Sequence, residues 1–222
     1  MIVAKKKLIK EIMEMLEPYK RVLLISCGSC VTVCLSGGEK QAEELASQLR
    51  LAARAKGREL TVDTDTMLRQ CDREFIDKLA RKPSDYDAVL SIACGVGVGF
   101  MSGLIPGVPV LPGLNTTFYG AGVANGVWEE YCHGCGECVL ASTGGICPIA
   151  RCSKNLINGA CGGTNKGKCE VSPDMDCAWH LIHERMKELG RLDELKKLRP
   201  ARCWSKDRSG GARRLTHKEL TD

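Results

Sequence analysis

At 222 residues the chain suits one domain with an appendage or two small domains, and 44% hydrophobic with 27% charged residues is the balance of a globular protein. A net charge of +5, gathered at the two ends, and 5% aromatic residues supply neither the basic stripe nor the stacking surfaces of a nucleic-acid binder. No apolar stretch reaches the roughly 20 residues of a membrane span, and the apolar segment after Lys5, Lys6 and Lys7 carries Lys10, Glu11 and Glu14, which a secretory signal does not tolerate.

Leu8, Ile9, Ile12, Met13 and Leu16 instead lie at helical spacing, and Pro18 ends that helix. Arg21 to Ser26 is a short apolar run with a turn signal behind it, as a buried parallel strand requires. The loop Cys27-Gly-Ser-Cys30-Val-Thr-Val-Cys34 follows. A helix is predicted from about Glu39, with Ala42, Leu45, Ala46, Leu49 and Ala53 on one face and Gly57 as its left-handed end. Glu59 to Val62 reads as a second strand, Asp72 to Lys82 as a second helix closed by Pro83, and Asp87 to Ala93 as a third strand. That strand enters the glycine-rich segment from Cys94 to Phe100, and Val108 to Leu111 makes a fourth strand. Alternating strands and helices of these lengths argue for βαβ units in an α/β fold, a Rossmann- or flavodoxin-like parallel sheet.

The pattern fades after about Tyr119, and from Tyr131 to Cys177 glycine, asparagine and cysteine replace periodicity. Trp179 to Leu198 returns to an apolar-faced helix, closed by Pro200, before a basic tail. The expected organisation is an α/β domain over 1–128, a cysteine-rich segment over 129–178, and a C-terminal helix and tail over 179–222.

Cysteine carries the chemistry. The chain has 14, and without an export signal they face a reducing cytoplasm, where metal ligation is the expected use and disulfides are rare. Cys27, Cys30 and Cys34 follow the first predicted strand and Cys94 follows the third. In a doubly wound sheet of order 2-1-3 those strands are neighbours, and their carboxyl ends form the topological switch point where such folds hold ligands. Four thiolates meeting there would satisfy a cubane cluster or a zinc ion. The competing view makes Cys94 a small buried residue beside a tight loop. Gly95, Gly97 and Gly99 also admit a nucleotide-binding loop, but their spacing departs from G-x-G-x-x-G and no Walker lysine follows.

Eight more cysteines run from Cys132 to Cys177: Cys132, Cys135, Cys138, Cys147, Cys152, Cys161, Cys169 and Cys177. Cys132-x-x-Cys135-x-x-Cys138 approaches the ferredoxin triple, and the Cys147-Pro148 step echoes it. Spacing alone does not say which cysteines complete each set of four. Ligands that are almost purely sulfur, three close cysteines in a row and abundant glycine amides favour [4Fe-4S] clusters, two or three in number, over zinc, the alternative. His133 reads as a surface residue, and Cys71 and Cys203 as ordinary thiols.

These segments together, Cys132-x-x-Cys-Gly-x-Cys, Gly-Gly-Ile-Cys-Pro, Ala-Arg-Cys-x-Lys, Asn-Gly-Ala-Cys-Gly-Gly, Gly-Lys-Cys-Glu-Val and Asp-Cys-Ala-Trp, resemble the methylenetetrahydrofolate reductase C-terminal-type domain. The resemblance extends to Leu-Ile-Ser-Cys-Gly-Ser-Cys and Leu-Pro-Gly-Leu-Asn-Thr-Thr nearer the N-terminus, with Ala160 where proline is expected. It implies a small partner subunit, found in acetogens and related anaerobes, that is not itself the folate-binding catalyst. The partner would be a flavin-containing catalytic subunit carrying FMN and the folate site. This chain would relay electrons to that flavin through [4Fe-4S] clusters in one-carbon metabolism. Two alternatives stand beside this expectation: a zinc-binding structural or assembly subunit of the same complex, and a free-standing nucleotide-dependent oxidoreductase.

Overall fold

Ile2–Lys6 opens the chain as strand β1, where the sequence alone gives no strand signal. In the computed structural model, which describes residues 1–207 and 211–217, this strand pairs antiparallel with a partner more than a hundred residues away. Residues 208–210 and 218–222, part of the basic tail, lie outside the described residues. The chain divides into two units, Met1–Glu129 and Glu130–Asp222.

The first unit is built on a parallel sheet. Helix α1 (Ile9–Met15) buries Ile12 and Met13, with Leu16 behind them, whereas Leu8 sits at its N-terminal boundary and is 75% exposed. Strand β2 (Arg21–Cys27) is buried from Val22 to Cys27. A one-turn helix α2 (Cys30–Val33) precedes the long helix α3 (Glu39–Ala55), whose start is held by the Gly38 amide donating to the Gln41 side chain at 3.1 Å. Gly57 ends α3 at φ 64°; its amide donates to Arg54 O and the Arg58 amide to Ala53 O, the paired bonds of a Schellman motif. Strand β3 (Thr61–Met67) runs five residues beyond the predicted Val62. The predicted second helix shrinks to the single turn α4 (Arg73–Ile76), because Ile76 is the only buried side chain it offers to the core. Strand β4 (Ala88–Ile92) is wholly buried.

The glycine-rich segment is a helix, α5 (Gly95–Leu104), and not a loop. Its first turn needs glycine at one point: a Cβ on Gly97 would lie 2.9 Å from both Ala93 Cβ and Gln70 Cβ. Strand β5 (Val110–Pro112) completes a four-stranded parallel sheet of order β3-β2-β4-β5. This is the α/β architecture and strand order that the sequence implies. Alternate residues of β2 serve opposite faces. Val22 and Leu24 pack with Leu45 and Leu49 of α3, while Leu23 and Ile25 pack with Met101 of α5. Each such side chain, removed from water, contributes about 1.5–3 kcal/mol. Strands β6 (Leu114–Ala124) and β7 (Val127–Cys132), joined at Asn125 and Gly126 (φ 76°), form with β1 a second sheet of order β1-β6-β7.

The second unit has little regular structure. Helix α6 (Pro148–Arg151) is one turn, and strands β8 (Lys168–Cys169) and β9 (Ser172–Asp176) form a short hairpin. Helix α7 (Ala178–Glu188) is shorter than the predicted Trp179 to Leu198. Gly190 (φ 66°) stops it with another Schellman pair, Gly190 N to Lys187 O and Arg191 N to Met186 O, and Leu192–Lys196 continues only as a 3-10 turn. The fully buried core here is small: Trp179, Ile182 and Met186, flanked by Ile146, Leu156, Leu192 and Leu195. No helix among the described residues is long and apolar enough to cross a membrane.

Candidate metal centres

All 14 cysteines are free thiols. In the first unit the carboxyl ends of β3, β2 and β4 stand side by side, with Cys27 level with Met67 and Ser26 level with Ile92. Cys27 ends β2, Cys30 opens α2, and Cys94 sits at the N-terminal cap of α5. The sheet thereby gathers Cys27, Cys30 and Cys94 at one edge. Cys34 ends α2 but turns elsewhere: its sulfur lies 3.5 Å from Ser36 Oγ, 3.6 Å from Val31 O and 4.0 Å from Ala4 O, towards β1.

Cys71, which the sequence presents as an ordinary thiol, comes near the same edge from the loop after β3. Cys71 is exposed; burial pushes its thiol up, and the charges of Cys94 and Cys27 push it the same way. Its neighbour Gln70 is fully buried. The Gln70 amide donates to Ile25 O and Ser26 O, both at 3.0 Å, while its carbonyl accepts from Ser91 Oγ at 2.6 Å. Gln70 therefore fastens the β3 loop to β2 and β4 at once. Gln70→Leu keeps the volume but strands these backbone carbonyls and the Ser91 hydroxyl, so a loss of about 1–3 kcal/mol is expected. Urea unfolding of the first unit's signal checks it.

The glycines of α5 offer little to a phosphate. The Gly95 amide already donates to Thr116 Oγ1 at 2.8 Å, and nothing approaches Gly99 within 4 Å of where a Cβ would stand.

In the second unit the eight cysteines line two separate cavities, four to each. Cys132, Cys135, Cys138 and Cys147 line one of about 310 Å3, together with His133, Glu137, Tyr131 and the backbone of Gly134 and Gly136. Two glycines at positive φ (Gly134, 65°, and Gly136, 81°) turn the chain between the first three sulfurs, and the Gly134 amide donates to Cys132 Sγ at 3.4 Å. Cys147 caps α6, with Pro148 in the first turn where its missing N–H costs nothing. A Cβ on Gly136 would lie 2.2 Å from Lys206 O, so the segment after Cys203 closes over this loop. Arg213 reinforces it through Gly134 O (3.0 Å), and Lys206 through Glu137 (3.4 Å).

The second cavity is lined by Cys152, Cys161, Cys169 and Cys177, with Lys154, Glu170 and Trp179 around them; its void is only about 20 Å3. Cys169 lies on the β8–β9 hairpin, and the Val171 amide holds its thiol below the ordinary range, helped by the Ser153 hydroxyl, the Ser172 amide and Lys154. Cys177 caps α7, its amide donating to Gly167 O at 2.8 Å, and the Trp179 indole donates to Leu156 O at 3.0 Å. Hairpin and helix thus bring in the last two sulfurs of this set.

Among the described residues no three His, Cys, Asp or Glu side chains converge on single-ion geometry. Zinc bonds of about 2.3 Å would place four sulfurs roughly 3.8 Å apart, whereas a cubane spreads the same four ligands over four irons. The donor chemistry fits a sulfur-bound centre: four thiols share each cavity, and they outnumber every other donor there. Cys203 belongs to neither set; it is exposed, and the Ser205 hydroxyl 2.9 Å away lowers its thiol.

No curated protein and no solved structure matches the chain. Residues 111–205 match the family model described as methylene-tetrahydrofolate reductase C terminal, a span that holds both four-cysteine cavities and leaves Cys27, Cys30, Cys34, Cys71 and Cys94 outside it. Over residues 111–205, therefore, the chain is similar to the methylenetetrahydrofolate reductase C-terminal family.

Proposed function

We propose that this chain is the electron-transfer subunit of a methylenetetrahydrofolate reductase complex, relaying electrons through [4Fe-4S] clusters to the flavin of a catalytic partner. The observation that carries the reading is the division of eight cysteines into two cavities of four within the family-matched span. A bound cluster supplies one-electron transfer at a potential set by burial and by hydrogen bonds to sulfur. The chain's own part is to hold the sulfurs and to aim amides at them. Gly134 N does this at Cys132, and the Val171 and Ser172 amides do it at Cys169. No side chain is assigned as general acid, base or nucleophile.

The narrower second cavity favours a second reading for that set alone. A void of about 20 Å3 is little more than one water-sized sphere, so the alternative for this set is a single structural zinc, for which Cys152, Cys161, Cys169 and Cys177 would have to draw closer together. Anaerobic purification of the full chain, followed by iron, sulfide and zinc analysis, separates the readings. Iron and sulfide in equal amounts, with a broad absorbance near about 400 nm that bleaches on reduction, is the expected result. A colourless chain containing zinc alone would overturn electron transfer and leave a structural subunit. Iron together with one zinc per chain would assign zinc to the narrower cavity.

A further inference from the structure

The first unit offers five cysteines for a site that needs four, and their placement decides among them. Three parallel strands, β3, β2 and β4, end at one edge, and each is followed there by cysteine: Cys71 after β3, Cys27 and Cys30 at the end of β2, and Cys94 after β4. The segment leading to Cys71 is clamped to that edge. Gly28 N donates to Met67 O at 2.9 Å, Ser29 Oγ donates to Leu68 O at 2.9 Å, and Cys27 Sγ lies 3.9 Å from Leu68 O. Gln70 is then pinned between β2 and β4, and α5 approaches it so closely that only glycine fits at position 97. Cys71 is the next residue, and this anchoring holds its backbone near the edge where Cys27 and Cys94 stand.

Cys34 is placed differently. Its sulfur is engaged by Ser36 Oγ and by the carbonyls of Val31 and Ala4, on the side of β1. It lines a different cavity, with Val3, Phe118 and Trp128. Cys30 and Cys34 are the first and the capping residue of α2, the Cys34 amide donating to Cys30 O at 3.2 Å.

We propose that Cys71, in place of Cys34, is the fourth thiolate of a metal centre at the edge of the parallel sheet, with Cys27, Cys30 and Cys94. This rests on the reading above that the chain is a carrier of sulfur-bound metal. A fourth thiolate from the β3 loop encloses the centre from all three strand ends, whereas a fourth from α2 would take three of four ligands from one loop.

The test uses the full chain purified without oxygen, with iron, sulfide and zinc measured per chain. Cys71→Ala and Cys94→Ala are expected each to lose the same single centre, and the double variant to lose no more than either. Cys34→Ser, which keeps a polar group against Ser36 and Ala4, is expected to retain the full content. Full retention by Cys71→Ala beside a loss in Cys94→Ala would overturn the assignment while leaving the site and the functional reading intact. So would loss of a centre in a folded Cys34→Ser chain. Full retention in both Cys94→Ala and Cys27→Ala would remove the site altogether. Iodoacetamide mapping of the unsubstituted chain gives a readout independent of folding in variants. Cys71, though exposed, is expected to be protected in the metal-loaded chain and alkylated after chelation; equal labelling in both states contradicts its role as a ligand.

Discussion

Chelation of the full chain is expected to unfold the second unit while the first keeps its structure. Among its described residues the second unit buries Trp179, Ile182 and Met186 in its main core, with Pro148, Ile149 and Ala178 besides and half-buried neighbours around them. At about 1.5–3 kcal/mol for each such side chain, the gain is far below the backbone entropy of ordering a segment this long, about 1–2 kcal/mol per residue. Structural zinc bound by four ligands supplies about 10–16 kcal/mol, and that energy becomes folding energy wherever the ligands are not preorganised without metal. Two such centres would supply what the core lacks. The first unit needs no such help, since β2 and β4 are buried along nearly their whole length and packed on both faces. Hydrogen exchange before and after chelation is the measurement. Protection should vanish in α7 and in the β8–β9 hairpin and persist in β2 and β4. Undiminished protection of α7 would mean that the small core suffices and that the sulfurs are not what holds this unit.

The legibility of the fold follows from where each element finds its partner. β2 and β4 read plainly because a central parallel strand is apolar on both faces, and Gly57 read plainly because a left-handed helix end calls for glycine. β3 was cut short because it is the edge strand. From Asp63 to Thr66 it is polar and only half covered, so the run Thr-Val-Asp-Thr-Asp-Thr-Met lacks the expected signal. With β3 ending at Val62, Cys71 stands nine residues from the sheet and looks incidental; with β3 ending at Met67, it stands four residues past the strand, against three for Cys30 and two for Cys94. β1 depends on pairing with β6 across more than a hundred residues, which no local periodicity records, whereas β6 and β7 are joined by the Asn125-Gly126 pair, a usable turn signal. The helix at Gly95–Leu104 was hidden by its glycines. Their low propensity is overridden by the close approach at Gly97 and by burial of Met101.

Removing sulfurs one at a time from the second unit is expected to give losses that repeat within a cavity and add between cavities. Spacing could not divide the eight cysteines, because chain distance misleads here: Cys147 and Cys152 are five apart yet line different cavities, on opposite ends of α6. Cys138 and Cys147, nine apart, line the same one. Cys135→Ala, Cys138→Ala and the double variant should each lose the metal of one centre, since a centre missing one ligand is already lost and the second substitution has nothing left to remove. Cys135→Ala with Cys161→Ala should lose two, because groups with no shared partner act independently. Iron, sulfide and zinc per chain, measured on protein kept anaerobic throughout, distinguish the patterns. If Cys135→Ala with Cys161→Ala lost no more than either alone, the two cavities would be serving one centre. If Cys138→Ala kept the metal that Cys135→Ala lost, the triple Cys132-x-x-Cys135-x-x-Cys138 would not act as a unit.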